Sequence, residues 1–172
     1  MATQKILVLD ASTNLPKEIT PNTTSAGAGD AGKIPALNAS GVLDSTLFPA
    51  GIGEASQIFP TSEAITAGAL VSFFLVSTTW TARNANATDA TKPAQGFVTA
   101  STTSPANTTV YFPGQIVTGV SGLTPGPVFL STTSGAVSST APSTAGNLVQ
   151  QVGYALSATS FVFQPMAGII KG

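Results

Sequence analysis

Apolar positions along the chain fall into short runs, not helical stripes. Residues 70–76, 95–100, 108–112, 128–131, 148–156 and 160–164 are rich in Val, Leu, Tyr and Phe, side chains that fit a pleated, half-buried surface. Between them lie small or polar stretches with turn chemistry: 84–89, 101–107, Pro113-Gly114, 124–127, Ser134-Gly135 and 141–143. Strands recurring at this spacing, with Gly and Pro as punctuation, predict an all-β sandwich or barrel. No stretch shows helical periodicity. Residues 55–64 have room for one helical turn at most, because Pro60 interrupts them.

Ser and Thr make up about a quarter of the chain and alternate with apolar residues, as in Thr108-Thr109-Val110-Tyr111. A sheet of this kind has one apolar face and one that is hydroxyl-rich and uncharged. Exposed faces and edges ordinarily resist sticking by carrying charge. Here there are six basic and seven acidic residues in 172, and none between 93 and 170. Such a surface suits a chain largely occupied by neighbouring subunits.

The charges also divide the chain. Lys5, Asp10, Lys17, Glu18, Asp30, Lys33, Asp44, Glu54 and Glu63 come early, and only Arg83, Asp89, Lys92 and Lys171 follow. The division predicts an extended N-terminal arm and linker over residues 1–55 and a compact β domain over 56–172. In the arm, residues 5–9 read as a strand in need of a partner. Residues 22–32 have the small, polar, Gly-rich composition of a flexible connector. Residues 33–49 present apolar side chains in Pro- and Gly-punctuated backbone, which becomes ordered by lying across another protein chain. The candidate contact residues are Lys33, Ile34, Pro35, Leu37, Val42, Leu43, Leu47 and Phe48.

Composition argues against most chemistry. The chain has no histidine and no cysteine, so the commonest general base, thiolate nucleophile and nitrogen or sulfur metal ligands are all missing. Asp89 and Lys92 are the only oppositely charged neighbours in the predicted body, and they read as a solvated ion pair in a turn. Asp10, Asp30 and Asp44 lack the spacing of a calcium loop. The expectation is no enzyme, no cofactor and no metal centre, with a weak cation site at a subunit interface left open. No basic face exists for nucleic acid, and no apolar window approaches the roughly 18 residues of a spanning helix. The first residues are too short an apolar run for a secretory signal, so a protein made and used without export is expected. The sequons at Asn22, Asn38, Asn86 and Asn107 then read as accidents of composition. Trp80, the only tryptophan, is the candidate exposed aromatic, either a docking or sugar-stacking ring beside Arg83 or a strand residue whose ring covers one end of the core; the second reading is preferred. Phe73, Phe74, Phe97, Tyr111, Phe112, Phe129, Phe161 and Phe163 are assigned to core or intersubunit packing.

Residues 29–44, with Lys33, Pro35, Leu37, Gly41, Leu43 and Asp44 in the pattern GKxPxLNASGxLD, resemble a short module of virion proteins of tailed bacteriophages. The order of residues 64–72, 84–91, 93–98 and 108–112 is similar to that of small trimeric capsid decoration (cement) proteins of the lambda type, which are shorter. Residues 121–131 and 151–157 resemble segments of head-fibre and appendage domains. The resemblance implies a β-tulip-like body, a homotrimer, the major capsid protein as partner and a place on the capsid exterior after synthesis in the host cytoplasm. The implied function is decoration that stabilises the head against packaged DNA. The alternative is a tail or head fibre, or an appendage, with a glycan- or host-binding β domain.

Overall fold

A computed structural model describes residues 5–48 and 55–172. By internal contacts the chain forms two units, Met1–Gly53 and Glu54–Gly172. Among the described residues the fold is all-β, with no α-helix.

In the first unit, β1 (Ile6–Leu9) pairs antiparallel with β2 (Pro16–Ile19), Leu9 opposite Pro16 and Ile6 opposite Ile19. The strand over 5–9 therefore finds its partner within ten residues. Pro16-Lys17-Glu18 carries no strand signal, but a proline is tolerated on a two-stranded ribbon, where no second ladder needs its N–H. Single 3-10 turns at Ala28–Asp30 and Ser45–Leu47 follow. No described residue of this unit is buried.

The second unit begins with β3 (Ser56–Pro60), β4 (Leu70–Val76), β5 (Thr79–Asn84), β6 (Gly96–Val98) and β7 (Asn107–Tyr111), which form one antiparallel sheet in the order β3-β7-β6-β4-β5. The sheet curls until Thr61, just past β3, bridges Ala82 of β5, and Ser62 N donates to Ala82 O at 3.1 Å. The helical turn allowed over 55–64 is thus corrected to a strand. Proline's fixed φ suits extended backbone as well as a first helical turn, and Pro60 ends the ladder, not interrupts it.

A second antiparallel sheet contains β8 (Ile116–Thr118), β9 (Gly126–Leu130), β10 (Val137–Ser138), β12 (Gln151–Ser157) and β13 (Ser160–Phe163), in the order β10-β9-β12-β13-β8. A short pair, β11 (Leu148–Val149) with β14 (Ile169–Ile170), completes the unit.

Alternation along the first sheet feeds two cores. Val71, Ala82, Val98 and Val110 point into the curl with Ile65 and Ala69. Their neighbours Leu70 and Phe97, with half-buried Tyr111, point the other way and pack with Val128, Leu130, Val152, Phe161 and Phe163 of the second sheet. Burial on both faces is why 70–71, 97–98 and 110–111 read as apolar pairs and not as apolar–polar alternation. Phe97 sits 5.4 Å from the Tyr111 ring and 5.6 Å from that of Phe163. Close approach calls for glycine at positions 96 and 153, among others. A Cβ at Gly96 would overlap the Val110 side chain, and one at Gly153, at the irregular step of β12 against β9, would overlap the Val162 carbonyl.

Candidate docking surfaces

The carboxylates come first, because they would carry any chemistry. Asp10 Oδ1 accepts from Ser12 N (2.9 Å) and Thr13 N (3.3 Å), and Asp44 and Asp89 do the same for the N–H groups of Thr46 (3.0 Å) and Thr91 (2.9 Å). These bonds favour the ionised form. The Ser12 hydroxyl and turn N–H groups hold Asp10 at about 2, below its ordinary 3.8. The Ala26 N–H and then Lys33 hold Asp30 at about 2 as well. Asp44 and Asp89 are lowered by the Thr46 and Thr91 hydroxyls. Each of these four aspartates is committed to its own turn, and among the described residues no three acidic groups converge as metal ligands would. Asp89 meets Lys92 at 3.5 Å, with both side chains partly in solvent.

The same triplet geometry accounts for two sequons. Asn38 Oδ1 accepts from Ser40 N and Asn86 Oδ1 from Thr88 N, each at 2.9 Å. An Asx residue followed two positions later by Ser or Thr is turn chemistry here.

The stretch 22–46, read as connector and extended arm, has a defined backbone. Asn22 N donates to Ile34 O and Ala36 N to Asn22 O, both at 2.8 Å, so that Pro35 runs beside Asn22. Asp30 Oδ2 accepts from Ala26 N at 2.6 Å, and Ser25 N donates to the Thr46 hydroxyl at 2.9 Å. Gly-rich composition hid these bonds, because they lie between backbone groups and short polar side chains that give no periodic pattern. Of the candidate contact residues, Lys33 pairs with Asp30 at 2.6 Å. Ile34 and Leu47 are half-buried and Pro35 is exposed. Leu37, Val42, Leu43 and Phe48 all rank among the exposed large apolar residues, Leu37 at 58%. Lys33 to Ala36 share one strand-like run, and Leu37 to Phe48 follow it through the Asn38 turn and the 3-10 turn.

In the second unit Trp80 lies opposite Leu75 on the β4–β5 hairpin and is 54% exposed, so its ring does not cover the core as the preferred reading expected. Both residues continue the face that holds Phe73 and Ala82, beyond the point where β6 stops pairing with β4. The cation beside Trp80 in sequence is engaged elsewhere: the Arg83 guanidinium lies 4.6 Å from the Phe74 ring centroid and donates to Thr91 O at 2.7 Å. Phe59, Phe73 and Phe112 cluster with centroids 4.6 to 6.4 Å apart.

Several exposed apolar residues went unremarked in the sequence: Leu7, Leu9 and Leu15 on the first hairpin, and Ile116, Tyr154 and Leu156 on the second sheet. The alternation of Val152, Tyr154 and Leu156 with small residues puts all three on one face of a regular strand, but the register shift at Gln151–Gly153 leaves Val152 in the core and Tyr154 and Leu156 exposed. Compared with protein-family models and with curated proteins, the sequence matches none.

Proposed function

We propose that this chain is a capsid decoration protein of a tailed bacteriophage. It docks on the outer surface of the head through residues 33–48, assembles into a homotrimer through its β body, and stabilises the shell against packaged DNA. The observation that supports this reading best is the first unit, which buries none of its described residues yet holds Leu37, Val42, Leu43 and Phe48 exposed along a hydrogen-bonded backbone. A docking segment already close to its bound shape loses less conformational freedom on binding. Binding only the assembled lattice shifts the shell away from disassembly by mass action. Linking three such segments raises the effective concentration of each for its own site.

Copy number in purified particles tests the proposal against the fibre or appendage alternative. Hundreds of copies are expected; a dozen or fewer per particle overturns decoration. Removing residues 1–53, or introducing Leu43→Asp with Phe48→Asp, should abolish binding to undecorated heads while the β body stays folded by circular dichroism. Particles lacking the protein should release DNA at lower temperature, and equal release temperatures would remove the stabilising role.

A further inference from the structure

The second sheet has one face in the core and one without a partner among the described residues. Pro127 on β9 lies opposite Tyr154 on β12, Tyr154 opposite Val162 on β13, and Val162 opposite Ile116 on β8. Four apolar side chains therefore form one row across four strands. The adjacent, inward positions include Val128, Val117, Phe161 and Phe163, all buried in the core, so the row lies on the opposite side of the sheet from that core, with Pro127 exposed and Val162 half-buried. Tyr154 is 48% exposed and Ile116 55%, and Leu156, two residues along β12, is 57% exposed. The solvent face of a free antiparallel sheet is ordinarily polar and charged. Here no Lys, Arg, Asp or Glu occurs on any strand of the sheet, nor anywhere from 93 to 170.

We infer that this row is a self-association face covered by a second copy of the chain. Charge decides the occupant. A partner bringing Lys, Arg, Asp or Glu to this face would have to desolvate a charge against apolar and hydroxyl side chains that offer it no counter-ion. The chain's own second sheet brings none. Thr118 and Ser160, opposite each other at one end of the row, supply neutral donors and acceptors for a rim around the apolar centre. A contact of ordinary size covers about 800 Å² of each partner, and an uncharged face several strands wide provides its core. The inference deepens the decoration proposal by naming the surface through which copies meet, and rests on that reading only for the premise that they assemble.

Sedimentation of the full chain across a concentration series tests it. The unmodified chain should assemble, and Tyr154→Lys and Val162→Lys should each raise the concentration of half-assembly by about tenfold or more, while Leu75→Lys on the β4–β5 hairpin leaves it unchanged. Because the chain has no cysteine, single Tyr154→Cys and Leu75→Cys variants report on the face without adding charge. Thiol labelling of Tyr154→Cys should slow on assembly, and that of Leu75→Cys should not. A monomer at every concentration, lysine variants that assemble normally, or labelling at 154 insensitive to assembly would each overturn the inference. Protection at 154 that persists in the monomer would identify cover from the same chain, and would also overturn it. Normal assembly without binding to heads overturns the decoration proposal and leaves this face standing.

Discussion

Gln150 is the side chain on which the second unit depends most visibly. It is buried, and its amide accepts from Ala94 N (2.7 Å) and donates to Ala94 O (3.1 Å) and Met166 O (3.0 Å). The two bonds to Ala94 join segments 56 residues apart as a strand would. Gln150→Leu keeps the bulk but orphans a buried N–H and two carbonyls. Each unmet group costs about 1–3 kcal/mol, so a loss near 3 kcal/mol is expected in urea unfolding, and an unchanged midpoint would mean that water replaces the amide. Gly153→Ala should be comparably damaging, about 2–4 kcal/mol, because its Cβ meets the Val162 carbonyl and β12 cannot keep its register against β13. Neither role was legible beforehand. One of two adjacent glutamines between Val149 and Val152 resembles a surface residue, and a glycine in a strand marks close approach without saying to what.

At the scale of elements, the Asx turns set the first unit's response to acid. The folded pKa of Asp10 lies about 2, below the ordinary 3.8. A lowered folded value stabilises the turn fully above the ordinary pKa, and that contribution is lost as pH falls through about 2. The Asp10 carboxyl, followed by NMR, should therefore titrate near pH 2 and the β1–β2 turn persist at pH 3; a midpoint near 4 would mean that Ser12 and Thr13 do not hold it in solution. The strands at 70–76, 107–111, 126–130 and 160–163 were visible as apolar runs. Strand β5 was not, although Trp80 was read as a strand residue. Its hairpin turns through Ser77 and Thr78, with Ser77 at φ 56°, and lacks the Asn-Gly or Gly-x signal that ordinarily marks so tight a loop. Trp80→Ser on this hairpin should cost under about 0.5 kcal/mol as an exposed site, whereas Phe161→Ala in the core should cost about 3–5 kcal/mol.

For the molecule as a whole, the absence of histidine and cysteine has a measurable consequence. No side chain has an ordinary pKa between the carboxylates and the phenols or ammonium groups, so unfolding of the β body should be nearly flat from pH 5.5 to 8.5. A melting temperature that moves by more than about 2 °C across that window would reveal a coupled group that composition does not contain, since about 1 kcal/mol shifts a domain of this size by a few degrees.

Composition and pattern alone determined the all-β class, the charge-poor body and the absence of histidine and cysteine chemistry, because these follow from residue types and from the two-residue period of a strand. Tertiary structure decided which alternate residues face which core, since the faces follow from strand pairing that reaches across as many as 55 residues, as between Ser56 and Tyr111. It also turned the Asx triplets and the Gly-rich stretch into a defined backbone and left Tyr154, Val162 and Ile116 on one outward row. A one-residue change of register would have sent that row inward, and no local signal in the sequence records which register wins.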